Sequence, residues 1–366
     1  MKKVGFIGWR GMVGSVLMQR MHDNNDFDDI QPVFFSTSQV GSQAPKSAKK
    51  YKSLQDAYEL ERLFEMDVII TCQGSDYTQS VLIELEQMNW PGYWIDAASF
   101  LRMDPDSIIV LDPINRPTID QAIDRGVKRF VGGNCTVSLL MLAIHGLLDA
   151  GVVDWINVMS YQAVSGAGAK AMAELMAQLD YMQTHSKGYL DILKQEQKAR
   201  QSIQDKNFPC YNLPQALAFN VLPWIDKAVA DGQTKEEWKA QAEMSKILND
   251  TTTKAIAIDG ICVRVPTLRA HSQALTIQLN KDVSLADIKS ILSQANPWVR
   301  FVENDDMQTY QQLTPLSVAG TLDIAVGRLK KSLTAPNHIH LFTVGDQLLW
   351  GAAEPLRRML KILLSA

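Results

Sequence analysis

Cysteine is scarce in this chain: four residues among 366, namely Cys72, Cys135, Cys210 and Cys262, widely spaced and without a Cys-x-x-Cys pair. That usage excludes a disulfide framework and a thiolate zinc site, and points to reduced thiols in the cytoplasm. The six histidines show no His-Glu-x-x-His spacing; His338 and His340 lie two apart, too little to imply a metal. No apolar run reaches the roughly 18 residues of a membrane span, and the first residues open on a strand pattern, not a signal peptide. Excess charge is missing as well: the net charge is −4, the pI is about 5.9, and no basic stripe carries interleaved aromatics. Nucleic acid and anionic membranes are therefore not expected partners. Repeats and low-complexity tracts are absent. What remains is a chain that is 46% hydrophobic, with the length of two domains and ample material for a core.

The first 133 residues alternate apolar strand runs with helical or loop segments. Lys3–Gly8, Pro32–Ser36, Asp67–Cys72, Tyr93–Ala97 and Ile108–Leu111 read as strands, and Met12–His22 as a helix. Continuous apolar runs bounded by turn residues suit a parallel sheet covered on both faces, a Rossmann-type domain. Beyond about Gly151 the texture changes. Trp155–Val164, Ala255–Val265, Leu268–Leu279, Leu316–Leu329 and Ile339–Val344 read as strands, and Ala167–Gln183 as a long helix. These predict an α+β domain with a mixed or antiparallel sheet and helices on one face. Residues 185–212 are charged and poor in apolar side chains, a surface excursion. In the tail, Leu356, Met359, Leu360 and Leu363 share one helical stripe that must pack against the body.

Gly8, Gly11 and Gly14 stand three apart between a strand and a helix. Glycine there lets the backbone approach a pyrophosphate, whose charge meets the helix N-terminus. A tight strand-to-helix turn without ligand would show the same pattern. At the end of the second strand an NAD site places a carboxylate for the ribose hydroxyl. This chain has Ser36-Thr-Ser-Gln39 instead, with a guanidinium at Arg10 inside the loop. Neutral donors and a cation suit a 2′-phosphate, so NADP is expected.

Cys135 follows Gly132-Gly-Asn134 and opens a segment, Thr136–Leu148, that is apolar nearly all round. Asn134 is a good N-cap, so the thiol lies in the first turn of a buried helix, where unpaired N–H groups favour an anion. Such a thiol can fall from ~8.5 to roughly 3.5–7.5 and become a nucleophile; a buried structural cysteine is the bland reading. In the second half, Gln162 ends a strand before the small-residue turn Ser165-Gly-Ala-Gly168, a turn open enough for the nicotinamide end of a cofactor. Gln162 is placed to orient a substrate carbonyl, or is simply exposed. His271 shares parity with Leu275, Ile277 and Leu279 and so faces the apolar side, as an acid/base or as a satisfied core residue. Arg264 and Arg269 beside it need an anionic partner, and Pro266 breaks the register so that Arg264 and His271 can converge. Glu243 and Lys246 sit one turn apart on a helix starting near Thr234, facing one cleft or forming a solvated ion pair.

With these residues in place the chain resembles the aspartate-semialdehyde dehydrogenases of Gram-negative bacteria, nearly end to end. The resemblance is carried by GWRGMVGSVL, YWIDAASFLRM, VGGNCTVSLL, YQAVSGAG, PWIDK, EEW-KAQAEMSKILN, CVRV, RAHSQA and FTVGDQLLWGAAEPLRRML. It implies NADPH-dependent reductive dephosphorylation of L-aspartyl 4-phosphate in lysine (diaminopimelate), threonine, methionine and isoleucine biosynthesis, by a cytoplasmic homodimer. It implies Cys135 as the acylated nucleophile and His271 as acid/base, with Gln162, Glu243 and Arg264 on the aspartyl portion. Glu243 would take the ammonium and Arg264 the α-carboxylate. Arg102 and Lys246 would hold the phosphate, and the Cys135 N–H with Asn134 would support the oxyanion. The cofactor would meet Arg10, Gly11, Met12, Val13, Thr37, Ser38, Gln73, Ser165, Gly166 and Gln347. The implied domains are 1–133 with the terminal helix, about 348–366, for NADP, and 134–347 for catalysis and dimerisation. Ser75 and Pro266 depart from the family pattern, and 185–212 matches it least. Two rivals stand beside this reading: another acyl-phosphate reductase, such as one for N-acetylglutamyl phosphate, whose blocked amine would leave Glu243 without a partner, and an NADP-binding redox sensor.

Overall fold

The first seven strands are β1 (Lys3–Ile7), β2 (Gln31–Ser36), β3 (Gln55–Asp56), β4 (Val68–Thr71), β5 (Tyr93–Asp96), β6 (Ser107–Val110) and β7 (Arg129–Gly132). In this computed structural model, which describes residues 1–188, 190–248 and 256–365, they form one sheet. Its order is β3-β2-β1-β4-β5-β7-β6, and every pairing is parallel. The apolar runs are buried on both faces, as a parallel sheet demands. Gly8 closes β1 with φ of +70°, and a Cβ there would lie 2.5 Å from the Cys72 carbonyl carbon. Only glycine turns the chain there into the helix Met12–Asp23.

The remaining strands are β8 (Val153–Gln162), β9 (Ala257–Arg264), β10 (His271–Leu279), β11 (Val299–Phe301), β12 (Ile324–Lys331) and β13 (His338–Gly345). They form a mixed sheet ordered β11-β12-β13-β10-β8-β9. The helix Cys135–Asp149 packs on it beside Leu285–Gln294 and Lys235–Leu248. That helix has eleven buried residues, from Thr136 to Leu147, in a core continuous with the first sheet. The opposite face of the mixed sheet, with Met159, Tyr161, Ala274 and Phe342, is only partly covered.

The strand expected over Leu268–Leu279 begins only at His271, strand β11 was not expected, and two further features differ from the sequence reading. The strand expected over Leu316–Leu329 starts only at Ile324, because Pro315 opens a one-turn helix capped by Thr314 and Gly320 turns with φ of +84°. Gly132, read as part of a turn, is the last residue of β7, paired with Val110. The 185–212 excursion holds a helix, Ile192–Ser202, packed on Ala169–Ser186 over a small core of Leu175, Phe208 and Leu217. Ala255, Ala366 and Tyr189, which fall in the expected β9, tail helix and excursion, lie outside the described residues.

The tail returns to the first sheet. Leu356, Met359, Leu360 and Leu363 of the helix Glu354–Ser365 are buried against Val4, Phe6, Ile95 and Phe130. Arg357 grips Asp26 through two bonds of 2.5 and 3.1 Å. Just before it, a π-helical turn, Leu349–Ala353, lays the Gly351 backbone against the first turn of the Cys135 helix. A Cβ on Gly351 would fall 2.5 Å from Cys135 Cβ and 2.7 Å from its Cα. Both neighbours are main-chain-anchored, so neither can yield cheaply. Gly351→Ala is therefore expected to lower unfolding stability by about 1–3 kcal/mol, the range for overpacked sites, and to displace Cys135. Urea unfolding with iodoacetamide labelling of the native state checks this; unchanged values for both would show that the two segments part freely.

Candidate active site

Cys135 is the first residue of its helix, after Asn134 as N-cap. The Asn134 side-chain oxygen accepts from Thr136 N at 2.9 Å, Val137 N at 3.3 Å and Thr136 Oγ1 at 2.6 Å. Among the described residues no side chain accepts from the Cys135 N–H, which stays available to an oxyanion. The Cys135 sulfur lies 3.3 Å from His271 Nε2, and Ala163 N donates to His271 Nδ1 at 3.0 Å. An acceptor Nδ1 fixes the neutral tautomer, so the ring presents its proton from Nε2 toward the sulfur.

The electrostatics correct two expectations. Burial and the Glu236 carboxylate push the Cys135 thiol up to about 12, while Arg102, Arg264 and Lys239 pull it down. Desolvation of the half-buried thiol works against its charged form, opposite to the pull of the helix terminus. Burial, and then the Arg264 charge, depress His271 to about 3, away from the neutral range expected of an acid/base histidine. The resting pair is thiol and neutral imidazole.

The helix Lys235–Leu248 brings four charged residues, Glu236, Lys239, Glu243 and Lys246, to one stripe facing inward. Glu243 is buried; it accepts from the Asn134 backbone N at 2.5 Å and pairs with Arg102 at 3.2 Å. Arg102 also donates to the Gly132 carbonyl at 2.8 Å. Glu243 and Arg102, expected to stand free for different parts of a substrate, thus hold each other. Lys246, expected to face the same cleft, instead donates to the Asp104 carbonyl at 2.5 Å and Ser107 Oγ at 3.3 Å. Gln162 is buried, not exposed, and its amide donates to Glu236 at 3.1 Å. Asn134 does the same at 3.0 Å, so its amide supports the cap more than an oxyanion. Arg264 is buried and donates to the Ala163 carbonyl at 2.8 Å, with no carboxylate in ion-pair range among the described residues. Arg269 has found its anion in Asp346 at 2.8 Å. Arg264 and His271 do converge, since a Cβ on Gly166 would meet the guanidinium at 2.8 Å and the ring at 3.4 Å.

The residues expected at a cofactor fall on two rims. On the first sheet, Arg10 donates to Ser36 Oγ at 2.9 Å and also to Gln39. Ser36 Oγ in turn accepts from the backbone N of Ser38 and Gln39. Gly11 caps the first helix, whose first turn carries Met12 and Val13 and no acidic residue. Thr37, Ser38 and Gln73 lie at or near the surface beside it. No acidic residue occurs in β2 or in Thr37–Gln39 after it, and Asp56 of β3 pairs with Ser36 from the neighbouring strand. On the other rim, Gln347 accepts from Ala270 N at 2.8 Å and donates to Ser165 Oγ, beside exposed Gly166. Ser75, noted as a departure, simply opens the helix Ser75–Gln87. No group of three or more His, Cys, Asp or Glu able to hold a metal occurs among the described residues, nor does a helix able to cross a membrane.

Sequence reasoning missed Glu236, Lys239 and Gly351. The signal for the first two was present: with Glu243 and Lys246 they follow 3-4-3 spacing, one helix face made of charges. A solvated face shows the same spacing, and only burial separates the two. Nothing in the sequence marked Gly351.

Two family models match: "Semialdehyde dehydrogenase, NAD binding domain" over residues 3–122, and "Semialdehyde dehydrogenase, dimerisation domain" over 144–350. Among solved structures, aspartate semialdehyde dehydrogenase from Francisella tularensis is 52% identical, with TM-score 0.95, over 99% of this chain and 100% of that one. Aspartate semialdehyde dehydrogenase II from Vibrio cholerae, complexed with ASA, shares the fold at 22% identity and TM-score 0.82, over 100% and 98% of the two chains. The Candida albicans enzyme with NADP does so at 15% and 0.67, over 99% and 98%. The paired thiol and imidazole, the paired charges around them and the parallel-sheet domain thus sit in a chain that belongs to the semialdehyde dehydrogenase family, among the aspartate-semialdehyde dehydrogenases.

Proposed function

We propose that this chain reduces L-aspartyl 4-phosphate to L-aspartate 4-semialdehyde with NADPH, releasing phosphate, through a thioester on Cys135. The observation that carries the reading is Arg264: a buried guanidinium without a carboxylate in ion-pair range among the described residues, next to a thiol held 3.3 Å from an imidazole. Such a charge calls for an anionic ligand at the nucleophile. The substrate's α-carboxylate suits it. Its ammonium would take Glu243 and its phosphate Arg102, so the Arg102–Glu243 pair is exchanged for two new pairs of the same sign pattern. Gln162, its amide held by Glu236, offers its carbonyl oxygen to the aspartyl portion. Arg102, and Lys246 once its ammonium leaves the Asp104 carbonyl and Ser107, would offset charge on the departing phosphate.

Cys135 attacks the acyl carbon, its S–H proton leaving with the departing phosphate while the C–O bond to phosphate breaks, and its backbone N–H meets the oxyanion. His271 holds a proton at Nε2 toward the sulfur and then toward the oxygen formed there, and its acid/base role is the delivery and recovery of that proton. NADPH, when bound, supplies the hydride that takes the thioester to the aldehyde level. Arg10, Gly11, Met12, Val13, Thr37, Ser38 and Gln73 would hold its phosphate and ribose portions, and Ser165, Gly166 and Gln347 its nicotinamide end. The same reading places cofactor binding in 1–133 with the terminal helix and catalysis in 134–347. It has the protein act in the cytoplasm as a homodimer, on the partly covered face of the mixed sheet, supplying lysine, threonine, methionine and isoleucine synthesis.

The test is absorbance at 340 nm with aspartate semialdehyde, NADP and phosphate, each omitted in turn. Formation of NADPH that needs all three supports the reading; turnover independent of phosphate would remove the acyl-phosphate step. Arg264→Lys cannot reproduce a planar two-bond contact, so kcat/KM should fall roughly 30- to several-thousand-fold, or about 2–5 kcal/mol. An unchanged kcat/KM would place the carboxylate elsewhere.

For the cofactor, Arg10→Ala should weaken NADP binding far more than NAD binding, because only NADP brings a phosphate to Arg10 and Ser36. Fluorescence titration with both nucleotides measures this, and equal losses would argue against a 2′-phosphate at this place.

Titration of His271 affects stability with a definite sign. Its folded value, about 3, lies below the unfolded 6.5, so the unfolded chain takes up a proton first as pH falls. The native state therefore loses up to about 1.4 kcal/mol per pH unit between those values, and nothing above 6.5. Urea unfolding of the parent and His271→Asn at pH 7 and pH 5 should show the parent losing more on acidification. Parallel losses would mean that the ring protonates as readily folded as unfolded.

A further inference from the structure

Glu236 is a carboxylate that the proposed chemistry does not consume, yet it is buried and lies at the centre of the site. It is not needed to start its helix. Thr234 and Glu237 form that cap, with Thr234 N donating to Glu237 at 2.7 Å and Glu237 N donating to Thr234 Oγ1 at 3.3 Å. One Glu236 oxygen instead accepts from both Asn134 Nδ2 and Gln162 Nε2, while the other accepts from Lys239 Nζ at 2.8 Å. Lys239 is anchored in turn on Asp226 at 2.9 Å.

A carboxylate only accepts, so each amide must turn its NH2 toward Glu236 and its carbonyl oxygen away. For Asn134 that oxygen then caps the Cys135 helix. For Gln162 it is the atom left for a ligand, since among the described residues no protein donor bonds to it. Without the charge, the Gln162 amide could flip at little cost, and the ligand would meet a donor where it needs an acceptor; the Asn134 amide, fixed by the three donors on its oxygen, would keep its orientation but lose an anchor.

We propose that Glu236, held by Lys239, is a positioning residue for the reaction: it sets the amide orientation of Gln162, and with it the acceptor offered to the substrate, and it anchors the Asn134 amide that caps the Cys135 helix. This rests on the activity proposed above. Glu236 also faces the Cys135 thiol as an anion, among Arg102, Lys239, Arg264, the neutral His271 and, beyond Asn134, Glu243.

A double-variant cycle tests it. Glu236→Gln should lower kcat/KM by about 10²-fold, the scale of a mispositioned site, with NADPH binding retained. If it acts through Gln162, adding it to Gln162→Ala should cost far less than it does alone, whereas a merely structural role multiplies the two losses. Labelling of Cys135 by iodoacetamide should also shift to lower pH in Glu236→Gln, because the facing anion is gone. If Glu236→Gln does not fold, Lys239→Met enters the same cycle, since it leaves the carboxylate free to swing off both amides. A parent that turns over semialdehyde while the two losses multiply, or kcat/KM within twofold of the parent, overturns the positioning role alone. A parent without turnover defeats the activity, and the labelling shift then still decides whether Glu236 governs the thiol's surroundings.

Discussion

The two-sided grip on Asn134 is the constraint from which the site follows. Glu243 takes its backbone N–H and Glu236 its side-chain amide, while its own oxygen caps the helix that carries Cys135. One residue therefore joins the parallel-sheet domain, the nucleophile helix and the helix Lys235–Leu248. Two buried carboxylates so close are tolerated only because Arg102 and Lys239 supply opposite charges and every near donor is bonded. Loss of Glu243 would leave Arg102 without its carboxylate, and loss of either carboxylate would loosen the helix start.

The same arrangement explains why the thiol is restrained at rest. A helix N-terminus favours thiolate, while burial and the Glu236 charge work against it. His271 is likewise kept neutral by burial and by Arg264, and Ala163 fixes which nitrogen carries the proton. Reactivity in such a site depends on what the ligand brings. An anion on Arg264 removes the charge that opposes protonation of the ring, and a cation on Glu243 releases Arg102. A pocket of paired charges is thus poised for a substrate carrying both signs.

Much of the fold was legible in the sequence because parallel strands buried on both faces leave continuous apolar runs, as in β1, β2 and β4. The glycine loop was legible for a related reason: positive φ at Gly8 and a close backbone approach admit only one residue type. The strand at Leu316–Leu329 was misread because the apolar Leu316 belongs to a one-turn helix set by Pro315, a local stop that outranks hydrophobic pattern. Cys135 as a nucleophile, His271 as an acid/base and Gln162 beside a substrate carbonyl could be suggested from local pattern, while the α-carboxylate role of Arg264 was implied by family resemblance alone.

What the sequence determined by itself was local: strand and helix types, the dinucleotide turn, the cap before Cys135 and the absence of a carboxylate after β2. Each depends on residues within a few positions of one another, where backbone sterics and short-range hydrogen bonds decide. Partnerships across long stretches of chain were set only by the tertiary structure. Glu243 meets Asn134 across 109 residues and Gln347 meets Ser165 across 182, and Gly351 abuts Cys135 from the far end of the chain. The thiol's titration belongs with these, because desolvation is a property of everything packed around a group, and no stretch of sequence encodes it locally.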